Sequence, residues 1–129
     1  MKTILILILL VAVFFVVKRV FAGPSISASE AASRVSEGKA VLIDVREPGE
    51  WADGVAGPAL LCPLSDLRGD RNQWKDVLAA HRDKELILYC ASGTRSGIAA
   101  DILRREGFQA VNAGGFAGWR GADLPVRQP

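Results

Sequence analysis

Cysteine, histidine and clustered positive charge are all scarce in this chain, and each scarcity removes a class of function. Two cysteines, Cys62 and Cys90, occur among 129 residues. They make neither a disulfide framework nor a C-x-x-C pair, and with His81 the lone histidine there is no Cys/His spacing for zinc. A thioredoxin-like or zinc-binding protein is therefore excluded. Beyond the N-terminal segment the only Lys/Arg cluster is Arg104-Arg105. That segment holds three of the sixteen Lys/Arg and none of the fourteen Asp/Glu, so the formal charge of +2 falls to −1 for the remainder. A near-neutral domain offers no electrostatic footprint for nucleic acid. Internal repeats and low-complexity tracts are also missing.

What the first residues do contain is a run of apolar side chains. Every residue from Ile4 to Val17 is apolar, preceded by Lys2 and followed by Lys18-Arg19, so the stretch belongs in lipid or a translocon rather than in a soluble core. Two readings share these residues. The short run, Lys2 and the small residue ending Val20-Phe21-Ala22 suit a cleaved signal peptide. The basic pair Lys18-Arg19 suits a membrane boundary with side chains reaching toward headgroups, and this favours an uncleaved single-pass anchor. Cleavage would instead give a secreted or periplasmic protein. At 1.5 Å per residue the run covers about 21 Å of a roughly 30 Å hydrocarbon core. Charges on its two sides nearly balance, so orientation is undetermined. The expected division is residues 1–22 as anchor or signal, 23–27 as linker, and 26–126 as one globular domain.

In the globular part, Ser27-Ala28-Ser29-Glu30 reads as a capping box opening a helix that Gly38 would end. Ala40-Val41-Leu42-Ile43, closed by Asp44, has the continuous apolar character of a strand buried on both faces. The stretch from Arg46 to Pro58 has two prolines and three glycines, which predicts a loop with one helical turn around Gly49 to Ala52. A short strand fits Ala59 to Cys62, and Ser65 could cap a helix running to His81 with Leu67, Trp74, Val77 and Leu78 inward. Leu86-Ile87-Leu88-Tyr89 is the strongest strand signal. The chain then passes through Ala91 to Arg95 into a helix beginning near Ser96, with Ile98, Ala99, Ile102 and Leu103 on one face and Gly107 as its stop, followed by a strand at Phe108 to Asn112. Strands and helices alternating in this way predict a three-layer α/β fold, a mostly parallel sheet with helices on both faces.

In such sheets the ligand site lies outside the carboxyl ends of the strands. Cys90 falls at one of these ends. The next helix points its amides and positive dipole end back at the loop, the small residues Ala91, Ser92 and Gly93 let N–H groups converge on an anion, and Arg95 is close, so the thiolate of Cys90 should be favoured. The alternative is a cysteine acting as a small buried hydrophobe at a strand end. That reading does not account for a Gly-containing loop and an Arg placed between strand and helix.

The run Cys90-Ala91-Ser92-Gly93-Thr94-Arg95-Ser96 resembles the active-site loop of the rhodanese-like sulfurtransferases. Leu42 to Trp51 resembles that family's early strand and loop, and Asn112 to Trp119 its closing Gly-Gly and Trp segment, so that the likeness covers about Ile26 to Val126. It implies a rhodanese-like fold and a Cys90 that takes a sulfane sulfur from thiosulfate or a persulfide, holds it as a persulfide, and passes it to cyanide or a thiol. No cofactor or metal is implied. Ala91, Ser92, Gly93, Thr94, Arg95 and Ser96 would bind substrate, with Asp44 and Arg46 in support. The implied partners are a small sulfur-donor anion or thiol persulfide, a protein sulfur acceptor, and a membrane through the N-terminal segment. A second possibility is a sulfur carrier or docking module with little turnover. A third is a cysteine-dependent phosphatase, whose similar loop uses Cys, five residues, then Arg. Four residues intervene here, which makes a smaller nest, better sized for a sulfur atom than for a phosphoryl group, and no obvious general acid is placed for the leaving group.

The sequence also departs from the family. Val55 stands where a histidine is usual in the loop before Ala59, and Ala91 stands where a basic residue is frequent, which would weaken binding of a dianion such as thiosulfate. Several residues carry a plain alternative. Asp44 and Arg46 could orient the Cys90 loop or form a structural ion pair, for instance Arg46 with Glu50. His81 reads as a solvated helix-end residue and Cys62 as packing rather than a resolving thiol. Trp51, Trp74 and Trp119 need no cofactor to explain them, and Gly114-Gly115 reads as a tight turn beside the Cys90 loop.

Overall fold

The computed structural model describes residues 1–17 and 23–129 in full, and for 18–21 the helical backbone without the side chains. The expected boundary pair Lys18-Arg19 and the cleavage segment Val20-Phe21-Ala22 therefore lie outside the described residues. Helix α1, Lys2–Phe21, carries the apolar run, and all its described side chains are exposed. Among the described residues no helix is long and apolar enough to cross a membrane.

Helix α2 (Ala28–Ser36) starts where expected. The Ser27 hydroxyl accepts the Glu30 amide at 3.1 Å. The box is only half made, because the Glu30 carboxylate turns forward to Arg34 one turn later, at 2.9 Å. Strand β1 (Ala40–Asp44) follows, then a 3-10 turn at Pro48–Asp53, and the short strands β2 (Val55–Ala56) and β3 (Leu60–Leu61). The single helix expected from Ser65 to His81 is instead two, α3 (Leu64–Leu67) and α4 (Trp74–Ala80). Arg71 between them has φ of 58°, and the Asp66 carboxylate accepts the amides of Asn72, Gln73 and Trp74. That carboxylate starts α4, while the Ser65 hydroxyl, which caps nothing, donates to Glu47 at 2.9 Å.

Strand β4 (Glu85–Cys90) leads into helix α5 (Thr94–Arg105). The next strand, β5, runs over Ala110–Gly115, later than expected, and leads into α6 (Phe116–Gly121). A last strand, β6 (Val126–Arg127), pairs antiparallel with β2. Neither β2 nor β6 was foreseen, because Val55-Ala56 and Val126-Arg127 lie among glycines and prolines and carry no apolar run, unlike the equally short β3. The main sheet is wholly parallel, in the order β3-β1-β4-β5.

Alternation along β4 sorts its side chains to two cores. Leu86, Leu88 and Cys90 face α3, α4 and α5, packing with Leu67, Trp74, Leu78 and Leu103. Ile87 and Tyr89 face α2 and α6, with Ala31, Phe116 and Trp119. The helices thus cover both faces, as the alternating pattern predicts, and Cys90 is directed toward the start of α5.

Asp44 and Arg46 are both buried, their side chains 0% and 5% exposed. The Arg46 guanidinium donates to both Asp44 carboxylate oxygens, at 2.8 to 3.1 Å, and to the carbonyls of Glu50 and Gly54. The expected Arg46–Glu50 ion pair does not form. Removing one partner of such a pair strands a buried charge, so Asp44→Asn should lower unfolding free energy by about 3–5 kcal/mol. Equilibrium denaturation measures this, and a loss below about 1 kcal/mol would show that the pair is not a structural tie.

Candidate active site around Cys90

The end of β4 and the start of α5 are joined by Ala91, Ser92 and Gly93, short and uncharged, with Gly93 at φ of 91° as the residue before the helix. No side chain caps α5. Its first amides therefore remain available, and the sulfur of Cys90 takes one of them, the Gly93 N–H, at 3.0 Å. The Ser96 hydroxyl, buried on the first turn of α5, lies 3.3 Å from the same sulfur. Burial pushes the Cys90 thiol up, but the Ser96 hydroxyl and the amides of Ser96, Ser92 and Gly93 outweigh it, leaving Cys90 below the ordinary thiol value. Cys62 has no such donors. Burial, with Asp66 nearby, raises its thiol to about 12, in keeping with a packing role.

One residue at the centre of this arrangement was not anticipated. Asn112 is buried on β5, donates from Nδ2 to the Gly93 carbonyl at 2.8 Å, and accepts at Oδ1 from the Ser96 hydroxyl at 2.7 Å and the Gly114 amide at 2.9 Å. A single amide side chain ties strand, loop and helix together. The signal was present, a polar residue interrupting the apolar run Ala110-Val111-Asn112-Ala113, since a buried amide must find partners.

The β4–β5 register slips beside the site. Leu88 pairs with Asn112 but Cys90 with Gly115, so three steps on β5 face two on β4. Gly114 takes φ of 80°, and a Cβ at Gly115 would stand 2.5 Å from the Ala91 carbonyl oxygen. The glycine pair is thus a strand end rather than a tight turn, although it does lie against the Cys90 loop.

The structure brings together Cys90, Ser92, Gly93, Ser96 and the Thr94 start of α5, while Ala91, Ser92 and Thr94 are exposed at the surface of the loop. A groove of about 1010 Å³ extends from Ser92, Gly93 and Thr94 along α5 toward Arg104 and Arg105. Arg95 does not stand free beside the sulfur as expected. Its guanidinium makes a two-point ion pair with Glu50, at 2.5 and 2.8 Å. That contact, opposed by burial, holds the Glu50 carboxyl down at about 2. Asp44 and Arg46 sit one strand away as a buried pair that anchors the 3-10 turn bearing Glu50. His81 ends α4 as expected and is half-buried rather than fully solvated, its Nδ1 enclosed without a hydrogen-bond partner. Among the described residues no group of three or more His, Cys, Asp or Glu could hold a metal ion.

The model of the rhodanese-like domain family matches residues 27–122, and the chain belongs to that family. It is 41% identical over 85 residues to YqhL of Bacillus subtilis, covering 64% of this chain and 63% of that protein. A rhodanese-related protein from Thermoplasma volcanium superposes with a TM-score of 0.69 at 30% identity, covering 82% of this chain and 99% of that one. The human single-domain sulfurtransferase TSTD1 gives 0.64 at 29% identity, over 77% and 96%. The family's relatives also include tRNA uridine(34) hydroxylases, of which the match spans only 26% in the protein from Cronobacter sakazakii. The chain thus spans less than two thirds of the curated relatives it matches first.

The Ser96 hydroxyl has one proton and two acceptors within reach, Asn112 Oδ1 and the Cys90 sulfur. Its removal should move the Cys90 thiol upward. The pH profile of Cys90 alkylation, followed by mass, is expected to have its inflection below that of an ordinary thiol in the parent and clearly higher in Ser96→Ala. Equal inflections would remove Ser96 from the set of groups that stabilise the thiolate.

Proposed function

We propose that this protein is a thiol-dependent sulfurtransferase in which Cys90 carries the sulfur. The observation that carries the reading is the convergence of the Gly93 amide and the Ser96 hydroxyl on the Cys90 sulfur, at 3.0 and 3.3 Å. Donors aimed at one sulfur favour its anion before reaction and can stabilise a terminal persulfide sulfur after it. The Cys90 thiolate attacks the sulfane sulfur of thiosulfate or of a persulfide. The S–S bond of the donor breaks, and its electron pair leaves with sulfite or the donor thiolate. The Cys90 persulfide is then attacked at its outer sulfur by cyanide or a thiol, and Cys90 departs as thiolate. No cofactor enters either half-reaction.

The supporting residues in this reading are Ala91, Ser92, Gly93, Thr94, Arg95 and Ser96 around the sulfur, with Asp44 and Arg46 holding the neighbouring turn. The domain assigned to the reaction is 26–126. Burial of Cys90 favours a second reading, a sulfur carrier or docking module with little turnover on free anions. Both readings require the persulfide. Incubating the full-length protein with thiosulfate or a thiol persulfide should add the mass of one sulfur atom to Cys90, and added cyanide should release thiocyanate. An adduct without thiocyanate supports the carrier, and the absence of an adduct with every donor, or one that persists in Cys90→Ser, overturns both.

The same proposal includes membrane attachment through residues 1–22 as a single-pass anchor. What supports it is the uninterrupted apolar run from Ile4 to Val17, whose side chains are all exposed. The full-length chain is expected in the membrane fraction with Met1 retained at its N-terminus, and a chain starting at Gly23 in the soluble fraction. Recovery of the full-length chain in the soluble fraction with Met1 intact would defeat the anchor, and a mature N-terminus at Gly23 would identify a cleaved signal.

A further inference from the structure

The loop beside the sulfur carries one formal positive charge, on Arg95, and that charge is already matched. Glu50 meets the Arg95 guanidinium at two points, and its own position is set by the fold. Its carboxylate accepts the Glu47 amide at 3.1 Å within the 3-10 turn that Pro48 opens, and its carbonyl accepts from Arg46 at 3.2 Å. A fork held this way on both sides is a built feature rather than a chance surface contact. Around it Ala91, Ser92, Gly93 and Thr94 carry no charge. Arg46 is matched by Asp44. Arg104 and Arg105 close the far end of α5, eleven residues and roughly 16 Å from Thr94 at 1.5 Å per residue, and beyond a Debye length of about 8 Å their effect at the loop is small. Asp101 pairs with both.

We propose that Glu50 determines donor specificity. By holding Arg95 in a neutral pair it withholds the positive charge that a dianion would need, and so selects sulfur donors of low charge, such as alkyl persulfides and monoanionic thiosulfonates, over thiosulfate. This inference rests on the reading of Cys90 as the sulfur acceptor.

Two donors separate charge from chemistry. Thiosulfate, a dianion, gives up its outer sulfur and leaves as sulfite. Methanethiosulfonate, a monoanion, gives up the same kind of sulfur and leaves as methanesulfinate. In both cases one S–S bond breaks, one forms to Cys90, and the leaving group keeps the electron pair. The readout is the ratio of the second-order rate constants for Cys90 persulfidation, thiosulfate over methanethiosulfonate, measured on full-length protein. At an ionic strength near 0.01 M, where the Debye length is about 30 Å, Glu50→Gln should raise that ratio about tenfold, the size expected for one unit of charge acting across roughly 10 Å at an effective dielectric near 20. Arg95→Gln should lower it by a similar factor. The double variant Glu50→Gln/Arg95→Gln, neutral again, should return to the parent ratio even if both rates fall. The spread should shrink as salt is added. A purely structural Glu50 would change both rates by the same factor, and an unchanged ratio in Glu50→Gln, or a double variant that keeps the raised ratio, overturns the proposal. If the parent takes up sulfur from neither donor nor from an alkyl persulfide, it is the Cys90 reading itself that has failed, whereas uptake from the alkyl persulfide alone overturns the proposal.

Discussion

The site depends on the contact between the end of β5 and the loop that follows β4. Asn112 spans it with three hydrogen bonds, to the Gly93 carbonyl, the Gly114 amide and the Ser96 hydroxyl. The backbones meet so closely that at Gly115 there is no room for a Cβ against the Ala91 carbonyl. These constraints fix where the first amides of α5 point. With Gly93 in the left-handed region and no side chain capping the helix, the Cys90 sulfur becomes the group that takes up the cap donor. Stabilisation of the thiolate is therefore a by-product of how a helix start must be satisfied.

Around that centre the charges are arranged in pairs of different kinds. Asp44 and Arg46 are buried, hold each other with both oxygens, and extend to two carbonyls of the following turn. Their role is to fix the turn that carries Glu50. Glu50 and Arg95 are each about one-third exposed, so their mutual attraction contributes modestly to stability, while their net neutrality shapes the field at the mouth of the loop. Hydrogen bonds at the start of α5 are the main groups that favour the anion on Cys90, with the paired Arg95 guanidinium adding to them through its charge.

Much of the fold was legible because its central strands are buried on both faces and read as continuous apolar runs. Ala40 to Asp44 and Glu85 to Cys90 are strands within a residue or two of the expected positions. The Ser27 cap and the Gly107 stop also hold, since both are local chemistry. The reading failed where a local pattern was overridden by a distant partner. The Asp66 carboxylate reaches forward to the amides of Asn72, Gln73 and Trp74 and splits one expected helix in two. Val55-Ala56 becomes a strand only because Val126-Arg127 arrives to pair with it.

By itself the sequence determined the alternation of strand and helix, the placing of Cys90 at a strand end before a helix, the four-residue spacing to Arg95, and the apolar character of Ile4 to Val17. Each of these is a property of neighbours along the chain. Only the tertiary structure decided that Asn112, rather than a charged residue, organises the loop, that Arg95 is taken by Glu50, and that Arg46 belongs to Asp44. Residue identities list which side chains could bond, but an arginine has several carboxylates to choose from. Which it takes depends on strand order and register, and these join residues 45 positions apart in the chain.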